Sequence, residues 1–187
     1  MSKKQEQLHE EVKRFIVNVS WTHKIHIIHS DLLASYAMAI RIANLVLSAV
    51  VSSGLIYILL TNTYWAKLLT AICSLLVTLS VAFRKEFNFD ELSSREKADA
   101  NVFWELREEA SRLLYSLTYN TEPSAEVSEK FNRLLEKRSE QSLGLMTPSQ
   151  KAVDKAGKLL KNRRDDDYTE DFKYLIPTNL MEIKEKE

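Results

Sequence analysis

The chain contains few of the residues that break helices or cross-link loops. It has three glycines, three prolines and one cysteine among 187 residues, and Gly54 is the only glycine or proline before Pro123. So long a stretch without breakers favours long helices over sheet, and a single cysteine excludes an intrachain disulfide framework. Charge of either sign is not in excess, with 26 basic and 26 acidic residues. We therefore expect no direct nucleic-acid binding through bulk positive charge.

Charge is almost absent from the middle of the chain. Between Arg41 and Arg84 the only charged side chain is Lys67. Residues 42–60 and 65–83 form two apolar runs, each long enough to cross a hydrocarbon core of about 30 Å. This favours a two-helix transmembrane hairpin, and the alternative is a soluble protein with two buried core helices. No cleavage signal precedes the first run, so we do not expect it to be a secretory leader.

The residues that flank the two runs suit the two surfaces of a membrane. At the turn, two aromatic rings favour an interface, and a lysine is long enough to reach the same surface. Three basic residues lie at the opposite ends of the runs, and the positive-inside rule then places both termini in the cytoplasm. These membrane-edge residues are Arg41, Tyr64, Trp65, Lys67, Arg84 and Lys85.

Small polar side chains recur at every fourth residue within both runs. Residues four apart lie on one side of a helix, so each run carries a polar stripe. The stripes either hold the hairpin or its oligomer together or line a water-filled pore. Because one hairpin cannot enclose a pore, the second interpretation requires a homo-oligomer. The stripe residues are Asn44, Ser48 and Ser52 in the first run, and Thr70, Ser74 and Thr78 in the second.

The segments on either side of the runs have apolar residues at alternating spacings of four and three, as in a coiled coil. If both transmembrane helices extend beyond the membrane, the turn between them fixes which residues face each other. A shift of one helical turn is an alternative, and so is a fresh helix near Asp90, begun by a capping box of Ser93 and Glu96. The unshifted register pairs Leu8 with Leu117, Val12 with Leu113, Phe15 with Ala110, Val19 with Leu106, Thr22 with Phe103, Leu33 with Leu92 and Arg41 with Arg84.

Three of the four histidines lie in the stretch WTHKIHIIHSD, at positions 23, 26 and 29. The same register places His26 opposite Asp99 and His29 opposite Glu96, which predicts a polar segment within an otherwise apolar interface. Two other interpretations stay open. A histidine that faces a carboxylate can act as a pH-sensitive latch, and histidines can bind metal, although three rings spread over seven residues of a helix diverge.

The last third of the chain predicts two short amphipathic helices within residues 121–164. The first spans residues 124–141, and the second begins at a capping box in the stretch TPSQ, with Thr147 as the cap, and runs to about residue 162. Residues 165–187 form an acidic tail, whose aromatic and aliphatic cluster near residue 174 either folds back or binds a partner. The chain contains no phosphate-binding glycine loop and no catalytic serine or carboxylate motif, so we expect neither enzyme activity nor a cofactor.

Together these patterns predict an all-α membrane protein. A transmembrane hairpin, residues 42–60 and 65–83 with a turn at 61–64, joins two long cytoplasmic extensions, residues 1–41 and 84–120. The extensions are predicted to pack as an antiparallel coiled coil, against which the two short amphipathic helices lie.

Three stretches of the chain, HSDLLASYAMAIRIANLVLSAV, TNTYW and ELSSREKADANVFWELREEASRLLYSL, resemble the SLATT family, the SMODS- and SLOG-associating two-transmembrane effectors. The resemblance covers roughly residues 5–165. It implies an effector of a bacterial conflict or antiviral defence system in the inner membrane, which forms pores or otherwise breaches the membrane when triggered and so causes cell death or dormancy. It also implies a separate sensor protein or a nucleotide-signalling partner. The alternative is a membrane-anchored adaptor that recruits a cytoplasmic partner.

Overall fold

The computed structural model describes residues 3–119 and 124–163, and every regular element within them is helical. The predicted all-α fold with two long apolar helices is confirmed. The predicted acidic tail, residues 165–187, lies outside the described residues. The elements are α1 (Lys3–Thr61), α2 (Tyr64–Phe87), α3 (Phe89–Tyr119), α4 (Ser124–Ser142) and α5 (Gln150–Lys158), followed by a π-helical turn at Leu159–Arg163.

Helix α1 runs without a break from the N-terminal segment through the first apolar run. Its 59 residues correspond to a length of about 90 Å, at a rise of 1.5 Å per residue. It contains no proline, and its single glycine, Gly54, lies near its far end. Contacts made at one end of α1 are therefore carried by the same rigid element that reaches the turn of the hairpin.

Two asparagines with positive φ separate the long helices. Asn62, with φ 52°, lies in the turn between α1 and α2, and Asn88, with φ 32°, lies between α2 and α3. Asparagine adopts this left-handed conformation more readily than most residues. The second membrane helix therefore does not continue into the stalk. A new helix begins at Phe89, as in the alternative of a fresh helix near Asp90.

The capping box predicted for this break, Ser93 with Glu96, is wrong. The carbonyl of Asn88 accepts hydrogen bonds from the N–H groups of Glu91 and Leu92, at 3.0 and 3.1 Å, so α3 begins after Asn88, which lies five residues before Ser93. Ser93 and Glu96 then lie within the helix and face α1, where both make tertiary contacts. The local signal was overridden by contacts with a distant part of the chain.

The main apolar core lies where the N-terminal part of α1 meets α3 and α4. Phe15 on α1 meets Phe131 on α4 edge-on, with ring centroids 5.5 Å apart. The first helix after residue 120, predicted over residues 124–141, is observed as Ser124–Ser142. The buried residues of this core are Val12, Phe15, Val19, Phe103, Leu106, Ala110, Leu113, Leu117, Val127, Phe131 and Leu134.

Helix α5 packs on a different side of α1. Its Ala152 and Ala156 are fully buried against Ile28, and a Cβ on Gly157 would lie 3.7 Å from the ring of Trp21. Ser149, rather than Thr147, caps α5 by accepting from the N–H of Ala152 at 3.4 Å. The predicted cap, Thr147, lies two residues before the observed one. The chain is not yet helical at Pro148, and the hydroxyl of Ser149 accepts the hydrogen bond from the first turn.

The apolar parts of α1 and α2 are exposed rather than packed inside the fold. In the two most apolar windows, 0 % and 11 % of the residues are buried, and Leu59 and Leu60 are 86 % and 80 % exposed. Helices of this length and composition can cross a membrane. Their exposure is that of lipid-facing helices and does not fit the alternative of two core helices in a soluble protein.

We predict that Leu106→Ala destabilises the protein much more than Leu143→Ala. Leu106 is fully buried between α1 and α3, whereas Leu143 is 89 % exposed. Truncating a buried leucine lowers the free energy of unfolding by about 2–5 kcal/mol, and the exposed site should change it by less than about 0.5 kcal/mol. Denaturant unfolding of the full chain in mild detergent, followed by circular dichroism, measures both. Equal midpoints for the two variants would contradict the assigned core.

Candidate functional site

A buried carboxylate occupies the interface between α1 and α3. Glu96, on α3, is fully buried, and His26 and His29, on consecutive turns of α1, are 3 % and 8 % exposed. Nδ1 of His26 lies 2.6 Å from Oε2 of Glu96, at hydrogen-bond distance. Nδ1 of His29 lies 3.3 Å from the same oxygen, but without the alignment of a hydrogen bond. One carboxylate oxygen therefore contacts two imidazoles.

The neighbouring turns extend this polar contact in both directions. Nδ1–H of His23 donates to the carbonyl of Ala100 at 2.9 Å. On the membrane side, Ser30 and Ser93 exchange hydrogen bonds, since each hydroxyl donates to the carbonyl of the other residue, at 2.8 and 2.9 Å. From His23 to Ser30, one face of α1 is thus tied to α3 by directional bonds as well as by packing.

The predicted pairing of His26 with Asp99 is not what the structure shows. Asp99 turns toward α4, where Gln141 donates to its Oδ1 at 3.1 Å. His26 contacts Glu96 instead, a displacement of about one helical turn, while His29 contacts Glu96 as the register predicts. Residues three apart lie on one face of a helix, so a single glutamate between two turns can reach both rings. The actual register lies between the predicted one and its one-turn shift.

This arrangement is costly to disturb. Removing one partner of a buried hydrogen bond leaves the other group unsatisfied, which costs about 1–3 kcal/mol. Oε1 of Glu96 is enclosed and has no hydrogen-bond partner, so the two histidines carry the interaction. Within the described part of the chain, no group of three or more candidate ligands is arranged to hold a metal ion.

The two polar stripes of the hairpin divide into inner and outer members. The amide of Asn44 and the side chain of Thr70 are enclosed, and Thr70 is 7 % exposed. A step of four residues turns about 40° further round a helix, so later members of each stripe rotate away from the contact between α1 and α2. The outer, exposed members are Ser48, Ser52, Ser74 and Thr78.

Gly54 allows α1 and α2 to approach closely. A Cβ at this position would overlap with Oγ1 of Thr70 and lie 3.4 Å from its Cβ. Cys73, one turn further along α2, is also buried. Sequence reasoning treated Gly54 only as a rare helix breaker. One sequence feature could have predicted the close contact: Gly54 is the only glycine in the two apolar runs, and small residues allow membrane helices to pack closely.

The predicted membrane-edge residues divide between the two ends of the hairpin. Tyr64 and Trp65, at the turn, are 71 % and 73 % exposed, and Lys67 is exposed on the next turn of α2. At the opposite end Arg41 lies 3.5 Å from Asp90. Arg41 thus contacts the first turn of α3, and its predicted level pairing with Arg84 stays a prediction. Arg84 and Lys85 are both exposed there.

The exposed apolar helices and their basic and aromatic ends are those of a membrane protein, and two of the helices are long and apolar enough to cross a bilayer. The model of one protein family, described as SMODS and SLOG-associating 2TM effector domain family 4, matches residues 6–171. The chain belongs to this family, whose name describes two-transmembrane effector domains that associate with SMODS and SLOG. No curated protein and no solved structure matches the chain.

A double-mutant cycle distinguishes the observed register from the predicted one. We expect His26→Ala and Glu96→Ala to couple by at least about 1 kcal/mol, because the two groups form one buried contact. His26→Ala and Asp99→Ala should be additive within about 0.5 kcal/mol. Denaturant unfolding of the full chain and its variants in detergent supplies the energies. Coupling of His26 to Asp99 in place of Glu96 would restore the unshifted register.

A bulkier residue at position 54 should push α1 and α2 apart. We predict that Gly54→Val lowers the free energy of unfolding by about 1–3 kcal/mol, since its side chain must displace Thr70. The matched control is Leu55→Val, at a neighbouring exposed position. Thermal unfolding in detergent measures the difference. A variant as stable as the control would mean that α1 and α2 do not depend on this contact.

Proposed function

We propose that the protein is a membrane effector of a bacterial defence system, which oligomerises through its hairpins and breaches the inner membrane when triggered. The exposure of Arg41, Arg84 and Lys85 at one end of the hairpin supports an orientation with both termini in the cytoplasm. The stalk, which comprises α3, α4, α5 and residues 3–41 of α1, then lies in the cytoplasm. There it is accessible to a separate sensor protein or a nucleotide-signalling partner.

The observation that carries the proposal is the side chain of Asn44. Both its Oδ1 and its Nδ2 are enclosed and have no hydrogen-bond partner. An unsatisfied amide in a membrane is costly, and asparagine stabilises helix association when a second helix supplies the missing partner. The isolated hairpin therefore leaves a polar group that an assembled state can satisfy.

The outer stripes supply matching groups on neighbouring hairpins. The hydroxyls of Ser52 and Thr78 donate to the carbonyls of Ser48 and Ser74, at 2.9 and 3.0 Å. Their oxygens can still accept a hydrogen bond. A hairpin that rotates against its neighbours can therefore bring the amide of Asn44 to these hydroxyls. In an assembly of several hairpins, the same stripes would line the space between them.

The stalk and the hairpin are mechanically joined because both use α1. His26, at the buried contact with Glu96, and Asn44 belong to the same unbroken helix, about 27 Å apart along its axis. A trigger that changes the packing of α3 on α1 would shift or rotate α1, and the helix would carry that movement into the hairpin. We propose that this is how an event in the cytoplasm reaches the membrane.

Depolarisation of bacteria that express the full chain together with its trigger tests the proposal. We expect Asn44→Leu to slow depolarisation by about tenfold, because removal of the amide removes a hydrogen bond between helices worth about 1–2 kcal/mol. The matched control is Leu45→Ile, at an adjacent side chain that is 72 % exposed and should depolarise like the unaltered protein.

Two outcomes contradict the proposal. One is an intact membrane potential in cells that express the unaltered chain at a high level with the trigger present. The other is full activity after the hairpin is replaced by an unrelated two-helix hairpin. That second result would favour the membrane-anchored adaptor, in which the stalk recruits a partner and the hairpin serves only as an anchor.

A further inference from the structure

Where α2 ends and α3 begins, the chain encloses an open cavity of about 390 Å³. One wall is basic and consists of Arg84 and Lys85, from the last turn of α2. The first turn of α3 forms the opposite wall with Phe89 and Asp90. The left-handed conformation of Asn88 produces the bend that separates the two walls. The cavity thus exists because α2 and α3 are two helices and not one.

The charge of the cavity favours an anion. Neither Arg84 nor Lys85 makes an ion pair with a described residue, although both are long, exposed and close to each other in sequence. The one carboxylate in the lining, Asp90, lies 3.5 Å from a guanidinium nitrogen of Arg41. The lining therefore holds two basic groups and one acidic group, and Arg41, which lies outside the lining, is the partner of that acid. The N-terminus of α3 adds the positive end of a helix dipole.

The other side of the cavity is apolar, which suits the acyl chain of a lipid. Val81, in the second membrane run, lines it toward the hairpin, and Ala37 lines it from the stalk part of α1. Next to it, the rings of Phe83, Phe87 and Phe89 form a cluster with centroids 4.2 to 6.1 Å apart. Phe83 and Phe87 are 45 % and 47 % exposed, so they can contact an acyl chain. Basic groups on one side and exposed apolar groups on the other correspond to a headgroup and a tail.

The position of the cavity agrees with this chemistry. Residues 65–83 form the second membrane run, and Arg84 follows directly, so the cavity lies at the level where the hydrocarbon ends. Basic pockets between membrane helices at this level bind the phosphate groups of anionic lipids. A water-soluble phosphate compound would satisfy the basic wall, but it would leave the exposed phenylalanines without a partner.

We propose that this cavity binds the headgroup phosphate of an anionic phospholipid, held by Arg84 and Lys85 with the support of Arg41. The bound lipid bridges the end of α2 and the start of α3, and so fixes the angle between the hairpin and the stalk. The proposal needs only the insertion of the hairpin in a membrane. It is independent of oligomerisation and of pore formation.

Native mass spectrometry of the purified full chain in mild detergent tests the site. The protein is titrated with phosphatidylglycerol, with phosphatidylcholine and with inorganic phosphate at 0.15 M salt, where non-specific attraction is largely screened. We expect phosphatidylglycerol to bind about tenfold more tightly than phosphatidylcholine, since each base near a membrane surface contributes appreciably to binding an anionic lipid.

Three variants establish which residues are responsible. Arg84→Gln with Lys85→Gln should abolish the preference for phosphatidylglycerol, and Arg84→Lys with Lys85→Arg should restore it. The matched control is Lys13→Gln with Arg14→Gln, an adjacent pair of exposed bases about 40 Å from Arg41 along α1. This control should keep the preference. If the double Gln variant does not fold, as judged by circular dichroism, Lys85→Gln alone is used, and a preference reduced at least threefold is then expected.

Three results would overturn the proposal. The first is equal affinity of the unaltered protein for the two lipids. The second is an equal loss of preference in the control variant, which would indicate attraction by net charge. The third is inorganic phosphate that binds as tightly as phosphatidylglycerol, which would assign the site to a soluble phosphate. The assay uses no trigger and no membrane potential, so failure of lipid binding and failure of the proposed function are separate outcomes.

Discussion

The contact of Glu96 with His26 and His29 fixes how the stalk is built. A fully buried carboxylate has few places where it can lie without a large loss of solvation, and here two imidazoles on consecutive turns of α1 provide one. The position of α3 along α1 follows from this contact. Apolar packing alone would tolerate a shift by one turn, because leucine, valine and alanine recur at similar spacings along both helices.

With α3 held in this way, the rest of the stalk assembles on the two sides of α1. Helix α4 completes the core around Phe15 and Phe131, and α5 covers the separate apolar side that contains Trp21 and Ile28. In the stalk α1 therefore packs against α3, α4 and α5, and in the hairpin it packs, among the described helices, against α2 alone. A single helix thus passes from a packed environment to one suited to lipid, without any change in its backbone.

Enclosed polar atoms without a hydrogen-bond partner occur in both parts of the molecule: Oε1 of Glu96 in the stalk and the amide of Asn44 in the hairpin. In the stalk, Ser30 and Ser93 pair reciprocally across the helices. In the hairpin, the enclosed amide of Asn44 has no partner, and four small polar side chains lie on the outer surface. The amide of Asn44 matters most for the proposed function, because the interior of a membrane offers no water to replace its missing partner. The basic cavity at the bend of Asn88 lies at the boundary between these two regions.

The sequence by itself determined the helical class, the two membrane runs, the antiparallel arrangement and the residue types of the buried polar segment. These depend on local properties: the rarity of glycine and proline, the length of the uncharged runs and the spacing of apolar residues. Tertiary structure alone decided that Glu96 and not Asp99 meets His26, that Ser93 bonds to Ser30 and does not cap a helix, and that Asn88 ends α2. It also decided that Thr70 lies against Gly54 while Ser74 faces outward. Each of these choices depends on the exact rotation and axial position of one helix against another. Differences of one turn, or of about 40°, change the partner while leaving the sequence pattern the same.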